Sequence, residues 1–161
     1  MNVYKSLQIN PVEDNQLQST KNDVRVAYLF VVHGRSLRQI LRHLKWLYNP
    51  KDYFFFHVDS RSAYLYRSLK ELEKKSPNIK VTDNRYATIW GGASLLKMMI
   101  SCMREMKSMQ WNMDFVINIS ESDYILKDPK ELKQYLSENR GKNFVKSHGR
   151  ETATFVKKQG K

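Results

Sequence analysis

A mostly parallel α/β sheet with helices on both faces is the fold class this sequence predicts. Three observations carry it. Short apolar runs rich in β-branched and aromatic residues alternate with amphipathic runs at helical spacing. The strand-like runs are almost continuously hydrophobic, as in strands covered on both faces. Between one such strand and the next helix stand two adjacent glycines, Gly91 and Gly92, at a kind of turn where backbone approaches a ligand closely.

The elements follow in order. Residues 24–33 read as a buried strand. A helix over 36–48 places Leu37, Ile40, Leu41, Leu44 and Leu47 at helical spacing, and Asn49-Pro50 stops it. A second buried strand over 53–58 ends at Asp59, and a helix over 62–75 carries Leu65, Leu69 and Leu72 on one face. A turn at Ser76-Pro77-Asn78 leads to a short third strand over 79–82. A Met-rich helix then runs to about Ser108, and a fourth strand covers 115–119. Asp128, Pro129 and Glu131 form a strong helix start, with Asp as N-cap and Pro at the first helical position; Gly141 is the expected stop. Residues 143–147 read as a fifth strand.

Composition narrows the partners. The chain has 161 residues and a formal net charge of +12. Residues 1–23 are polar and slightly acidic, so the excess of Lys and Arg belongs to the remainder. That excess favours acidic partners such as nucleotide diphosphates, acidic peptides or polyanions, although scattered cations also describe a plain solvated surface. No apolar run reaches the length of a membrane span, and residues 1–23 lack the apolar core of a signal peptide. Cys102 is the single cysteine and lies on an apolar helical stripe, the setting of a buried thiol.

In open parallel sheets the ligand sits beyond the carboxyl ends of the strands, where the strand order reverses. That rule selects Val31 to Arg35 after the first strand, Asp59 after the second, Thr88-Ile89-Trp90 after the third, and Glu121-Ser122-Asp123 after the fourth. Asp59 stands where such folds hold a ribose, or else is an N-cap or turn acid before Ser62. A single glycine, Gly34, follows the first strand, so the dinucleotide fingerprint is absent. Trp90 beside Gly91 and Gly92 fits a base or sugar stacked at a nucleotide site, or a packing Trp at a helix start. Glu121 and Asp123 suit either a cation on a diphosphate or an Asx-type turn. His33, His57 and His148 lie near strand ends and are read as individually hydrogen-bonded residues, with a metal or base site as the alternative. Asn118-Ile119-Ser120 is a formal glycosylation sequon placed in a strand read as buried.

Several segments together are similar to one family. They are Val31-Val32-His33-Gly34-Arg35, Phe56-His57-Val58-Asp59, Arg61-Ser62, the run from Ala87 to Leu96, the run from Asp114 to Ser120, Asp123-Tyr124, and Lys146-Ser147-His148-Gly149-Arg150. They resemble protein O-xylosyltransferases, of the glycosyltransferase family that also holds the core-2-type β1,6-N-acetylglucosaminyltransferases. The resemblance implies a GT-A type, Rossmann-like half-domain over residues 24–161, truncated at its C-terminal end and preceded by a flexible segment over 1–23. It implies transfer of xylose from UDP-xylose to serine of an acidic, Ser-Gly-containing proteoglycan core protein, at the start of heparan and chondroitin sulfate synthesis. Carried over by position, Val31, Asp59, Thr88, Ile89 and Trp90 bind the donor, with Asp59 holding the uridine. No cofactor or divalent metal is expected to be required. The general base is expected beyond Lys161, leaving this chain inactive alone. The implied setting is the Golgi, through a membrane anchor lying outside this sequence, with no nucleic-acid partner. N-acetylglucosaminyl transfer, or a non-catalytic module that binds polyanions, are the alternative readings.

Overall fold

The strand order settles where the site lies. The computed structural model describes residues 24–34 and 37–145. Its elements run β1 (Val26–Val32), α1 (Leu37–Leu47), β2 (Tyr53–Val58), α2 (Ala63–Glu73), β3 (Ile79–Val81), α3 (Ala93–Ser108), β4 (Phe115–Ser120) and α4 (Pro129–Glu138). The four strands form one sheet in the order β3-β2-β1-β4, and every pairing is parallel. The chain builds outward from β1 through β2 to β3, then returns to place β4 on the other side of β1. The reversal therefore falls between β1 and β4.

Pleat alternation divides the core in two. On one face Tyr28, Phe30 and Val32 of β1 and Phe54, Phe56 and Val58 of β2 meet α1, α2 and Leu136 of α4. The register pairs Tyr28 with Phe54 and Phe30 with Phe56. Their rings stack at centroid distances of 5.5 and 4.8 Å. Such cross-strand aromatic pairs add stabilisation beyond the area they bury. Lys133 of α4 donates to the buried Asp52 at 2.8 Å, and Asp52 accepts the Val26 N–H at 3.0 Å, so α4 is tied to the start of the sheet.

Among the described residues, the other face has one helix. Ala27, Leu29 and Phe55 pack on Met98, Cys102 and Met106 of α3. Cys102 is buried as expected, and burial, reinforced by the Glu105 charge, pushes its thiol up to about 12. Helix α3 does not reach across β4, where Val116 and Asn118 are exposed. The fourth strand is thus covered on one face only, unlike the buried strand that its composition predicts.

Helix α4 starts as expected, with the Asp128 carboxylate accepting the Lys130 N–H at 2.7 Å. It ends at Glu138, and Gly141 follows with φ +77°, a left-handed conformation that glycine adopts readily. The expected fifth strand is absent over 143–145, and its last two residues lie outside the described ones. The cause is local. The Phe144 ring packs against Phe115 and Tyr135, at 6.2 and 5.6 Å, so side-chain contact holds this segment without a ladder of backbone hydrogen bonds. Residues 1–23 and His148 also lie outside the described residues.

Candidate functional site

Between α3 and the carboxyl end of β4 lies a cleft of about 550 Å³. Its floor is Val31 and His33 at the end of β1; Thr88, Trp90 and Leu95 form one wall, and Asn118, Ser120 and Asp123 the other. This is the position that the switch-point rule selects. A wider groove of about 990 Å³ runs between α1 and the loop after β4, past Arg42, Trp46 and Tyr124, but none of the donor-site candidates lines it.

The Trp90 wall is built by its glycines. Gly92 donates to the Ile89 carbonyl at 2.9 Å, closing a turn with Gly91 at φ +73° in its third position. A positive φ there is the signature of a type II turn and favours glycine. At Gly92 a Cβ would lie 3.2 Å from the Ile89 oxygen, so the close approach excludes larger residues without adjustment. Ser94 accepts the Ile89 N–H at 3.0 Å and locks the turn to the start of α3. The turn holds the Trp90 ring in solvent, 86% exposed, against a cleft. A Trp so placed contributes little to the core and is free to stack on a planar ligand.

Underneath, the end of β2 holds this wall. His57 is buried and its Nε2 accepts the Tyr86 N–H at 3.0 Å. Two residues on, the Asp59 carboxylate accepts the Thr88 N–H at 3.0 Å. The same carboxylate takes Arg61 Nε and Nη2, each at 2.7 Å, and Arg61 Nη2 also donates to the Thr88 carbonyl at 2.8 Å. Arg85 closes the end of β2 by donating to the Asp59 and Ser60 carbonyls at 2.7 and 2.9 Å. The Arg61 hydrogen bonds outweigh burial and hold the Asp59 carboxyl well below the usual carboxylate range. For His57 burial prevails, lowering it to about 4, so the ring is neutral and accepts from Tyr86.

Of the residues chosen from sequence, Val31, Thr88 and Trp90 meet in the cleft. Ile89 is exposed beside them without lining it. Asp59 lies behind Thr88, 1% exposed, its oxygens turned to Arg61 and Thr88. Its alternative as an N-cap is not realised, since Ser62 precedes α2, but its alternative as a turn acid is: Asp59 Oδ1 accepts the Arg61 N–H at 3.0 Å, and the Asp59 carbonyl accepts the Ser62 N–H at 2.9 Å. Glu121 takes neither course foreseen for it, accepting the His33 and Gly34 N–H groups at 3.0 and 2.8 Å. Asp123 closes a turn with Ser120, accepting its N–H at 2.7 Å and donating to its carbonyl at 3.3 Å; the bond runs back three residues, unlike the Asx turn expected. Asn118 is exposed at the cleft, so its sequon is not buried. Sequence reasoning gave Arg61, which stands in one of the resembling segments, no role, and passed over Arg85. The one available signal was an Asp followed two residues later by Arg, with a second Arg just after the third strand.

Fold and cleft together define an open parallel α/β sheet protein with a cleft at its switch point. The family model of the Core-2/I-Branching enzymes matches residues 26–160, and the chain belongs to that family. It is 54% identical over 137 residues to Xylosyltransferase oxt of Drosophila pseudoobscura pseudoobscura, and 53% identical over 137 residues to that of Drosophila melanogaster. Xylosyltransferase 2 of Homo sapiens is 50% identical over 138 residues. Each match covers 85% of this chain and 16% of the relative's own length.

Proposed function

We propose that this chain carries the donor-binding part of a protein xylosyltransferase, which moves xylose from UDP-xylose to a serine hydroxyl of a proteoglycan core protein. The observation that carries the reading is the Trp90 wall: an exposed indole on a glycine turn, braced from the end of β2, facing a switch-point cleft in a chain about half identical to named xylosyltransferases. The uracil stacks on Trp90, with Val31 and the Thr88–Ile89 backbone beside it. Asp59 acts on the nucleoside by holding Thr88 and Arg61, in place of the direct uridine contact that its strand-end position suggested.

A serine hydroxyl is a weak nucleophile, and a placed general base contributes on the order of 10²–10⁴-fold. We assign that base, and most of the acceptor groove for an acidic Ser-Gly segment, to the part of the relatives that this chain does not span. No divalent metal is assigned to the cleft: Asp123, which lines it, accepts the Ser120 N–H, and Glu121, beside it, accepts those of His33 and Gly34. Golgi residence is part of the proposal; no helix among the described residues is long and apolar enough to cross a membrane.

Competition between UDP-xylose and UDP-N-acetylglucosamine for the wild-type chain tests the donor. The expected result is preference for UDP-xylose; clear preference for the other sugar contradicts the reading in favour of the sister activity. Retention on heparin at moderate salt, with no protection from proteolysis by UDP, would instead mark a polyanion-binding module.

A further inference from the structure

Among the described residues that line the cleft, one side chain is able to carry positive charge. His33 lies two residues beyond Val31 in the chain leaving β1, and it lines the cleft with its side chain 62% exposed. The other polar lining groups are Thr88, Asn118, Ser120, Ser122 and Asp123, which offer hydroxyls, an amide and a carboxylate. Arg61 is directed to Asp59 and to the Thr88 carbonyl and does not line the cleft. Among the described residues, His33 is therefore the counter-charge that a bound diphosphate would meet in the cleft.

Glu121 lies beside that imidazole. Its Oε2 accepts the backbone N–H groups of His33 and Gly34 at 3.0 and 2.8 Å, and its Oε1 lies 3.4 Å from His33 Nδ1. The Glu121 side chain is 11% exposed. A Cβ at Gly34 would fall 2.3 Å from Oε1, so this approach depends on glycine. A carboxylate pinned by two backbone donors stays beside Nδ1, and Nε2 is on the other side of the ring.

We propose that His33, positioned by Glu121, binds the diphosphate of the nucleotide donor, with Nδ1–H donated to Glu121 and Nε2–H to a phosphate oxygen. The proposal rests on the reading of the cleft as the donor site. His33 is the ligand-binding group and Glu121 its positioning residue.

Titration of the 161-residue chain with UDP and with uridine tests this. His33→Ala is expected to weaken UDP by about tenfold, as for the loss of a hydrogen bond to a charged group, while leaving uridine within about twofold. His33→Gln, which keeps an N–H donor, should recover part of the loss. Glu121→Gln is expected to weaken UDP by about threefold in the wild-type background, and to strengthen it in the H33A background, where Glu121 is only a negative charge near the phosphates. Far-ultraviolet circular dichroism verifies that each variant is folded. A wild-type chain that binds UDP, with H33A unchanged or weakened equally toward UDP and uridine, overturns this proposal alone. A wild-type chain that binds neither ligand overturns the donor-site reading as well.

Discussion

The two faces of the sheet are made from the same strands and end in opposite conditions. One face is closed by α1, α2 and α4 over a stacked aromatic core. The other has α3 alone, over the middle of the sheet, and leaves Leu96, Ile100, Met103 and Val116 exposed. The cleft belongs to the open face, in the gap between α3 and β4. The comparison teaches that this fold separates its tasks: packing on one face gives stability, and incomplete cover on the other leaves room for a ligand.

The contrast has measurable consequences. Phe56 is fully buried on the closed face, stacked on Phe30. Phe56→Ala is expected to cost about 3–5 kcal/mol in urea unfolding, against about 2 kcal/mol for Met98→Ala under α3, where open surroundings let the structure collapse around the void. Equal losses would break the comparison.

A pH effect comes next, from the open face. The folded His57 has its pKa lowered from 6.5 to about 4. As pH falls below 6.5, the unfolded imidazole takes a proton that the folded one refuses, so stability present above 6.5 is lost down to about 4 and no further from this group. The loss is about 3 kcal/mol. Urea unfolding over that range should show a steeper decline for the wild type than for His57→Gln, whose side chain still accepts from Tyr86 but does not titrate. Parallel declines would count against a buried neutral His57.

Cys102, beneath α3, should resist thiol reagents in the native chain and react in urea, since burial holds it protonated. Rapid native labelling would show that the open face is looser than its packing implies. The smallest stability effect is expected at the cleft: Trp90→Ala should lie within about 0.5 kcal/mol of the wild type, because the ring packs on no core.

Much of the closed face was legible in the sequence. Leucines at helical spacing in α1 and α2, and unbroken apolar runs in β1 and β2, have one economical arrangement. The Asp128-Pro129 start of α4 was equally clear, since its signal is local. Residues 143–145 were not, because an apolar composition does not reveal whether a Phe joins a ladder or a ring cluster. Of the site, Val31, Thr88 and Trp90 could be placed by the strand-end rule. The turn that Asp59 makes with Arg61 is local and was among its alternatives, but its Thr88 partner could not be read, since that depends on how the chain returns past the end of β2. Glu121 escaped for a similar reason: it meets His33 and Gly34 from a strand far away in sequence.

The central claim is that the Trp90 turn is one wall of a nucleoside site. Calorimetric titration of UDP into wild-type chain and Trp90→Ala tests it most directly. The expected result is binding by the wild type and affinity about tenfold lower in the variant, the scale of a lost base–aromatic stack, with the melting temperature unchanged. Equal UDP affinity in the two proteins would contradict the account.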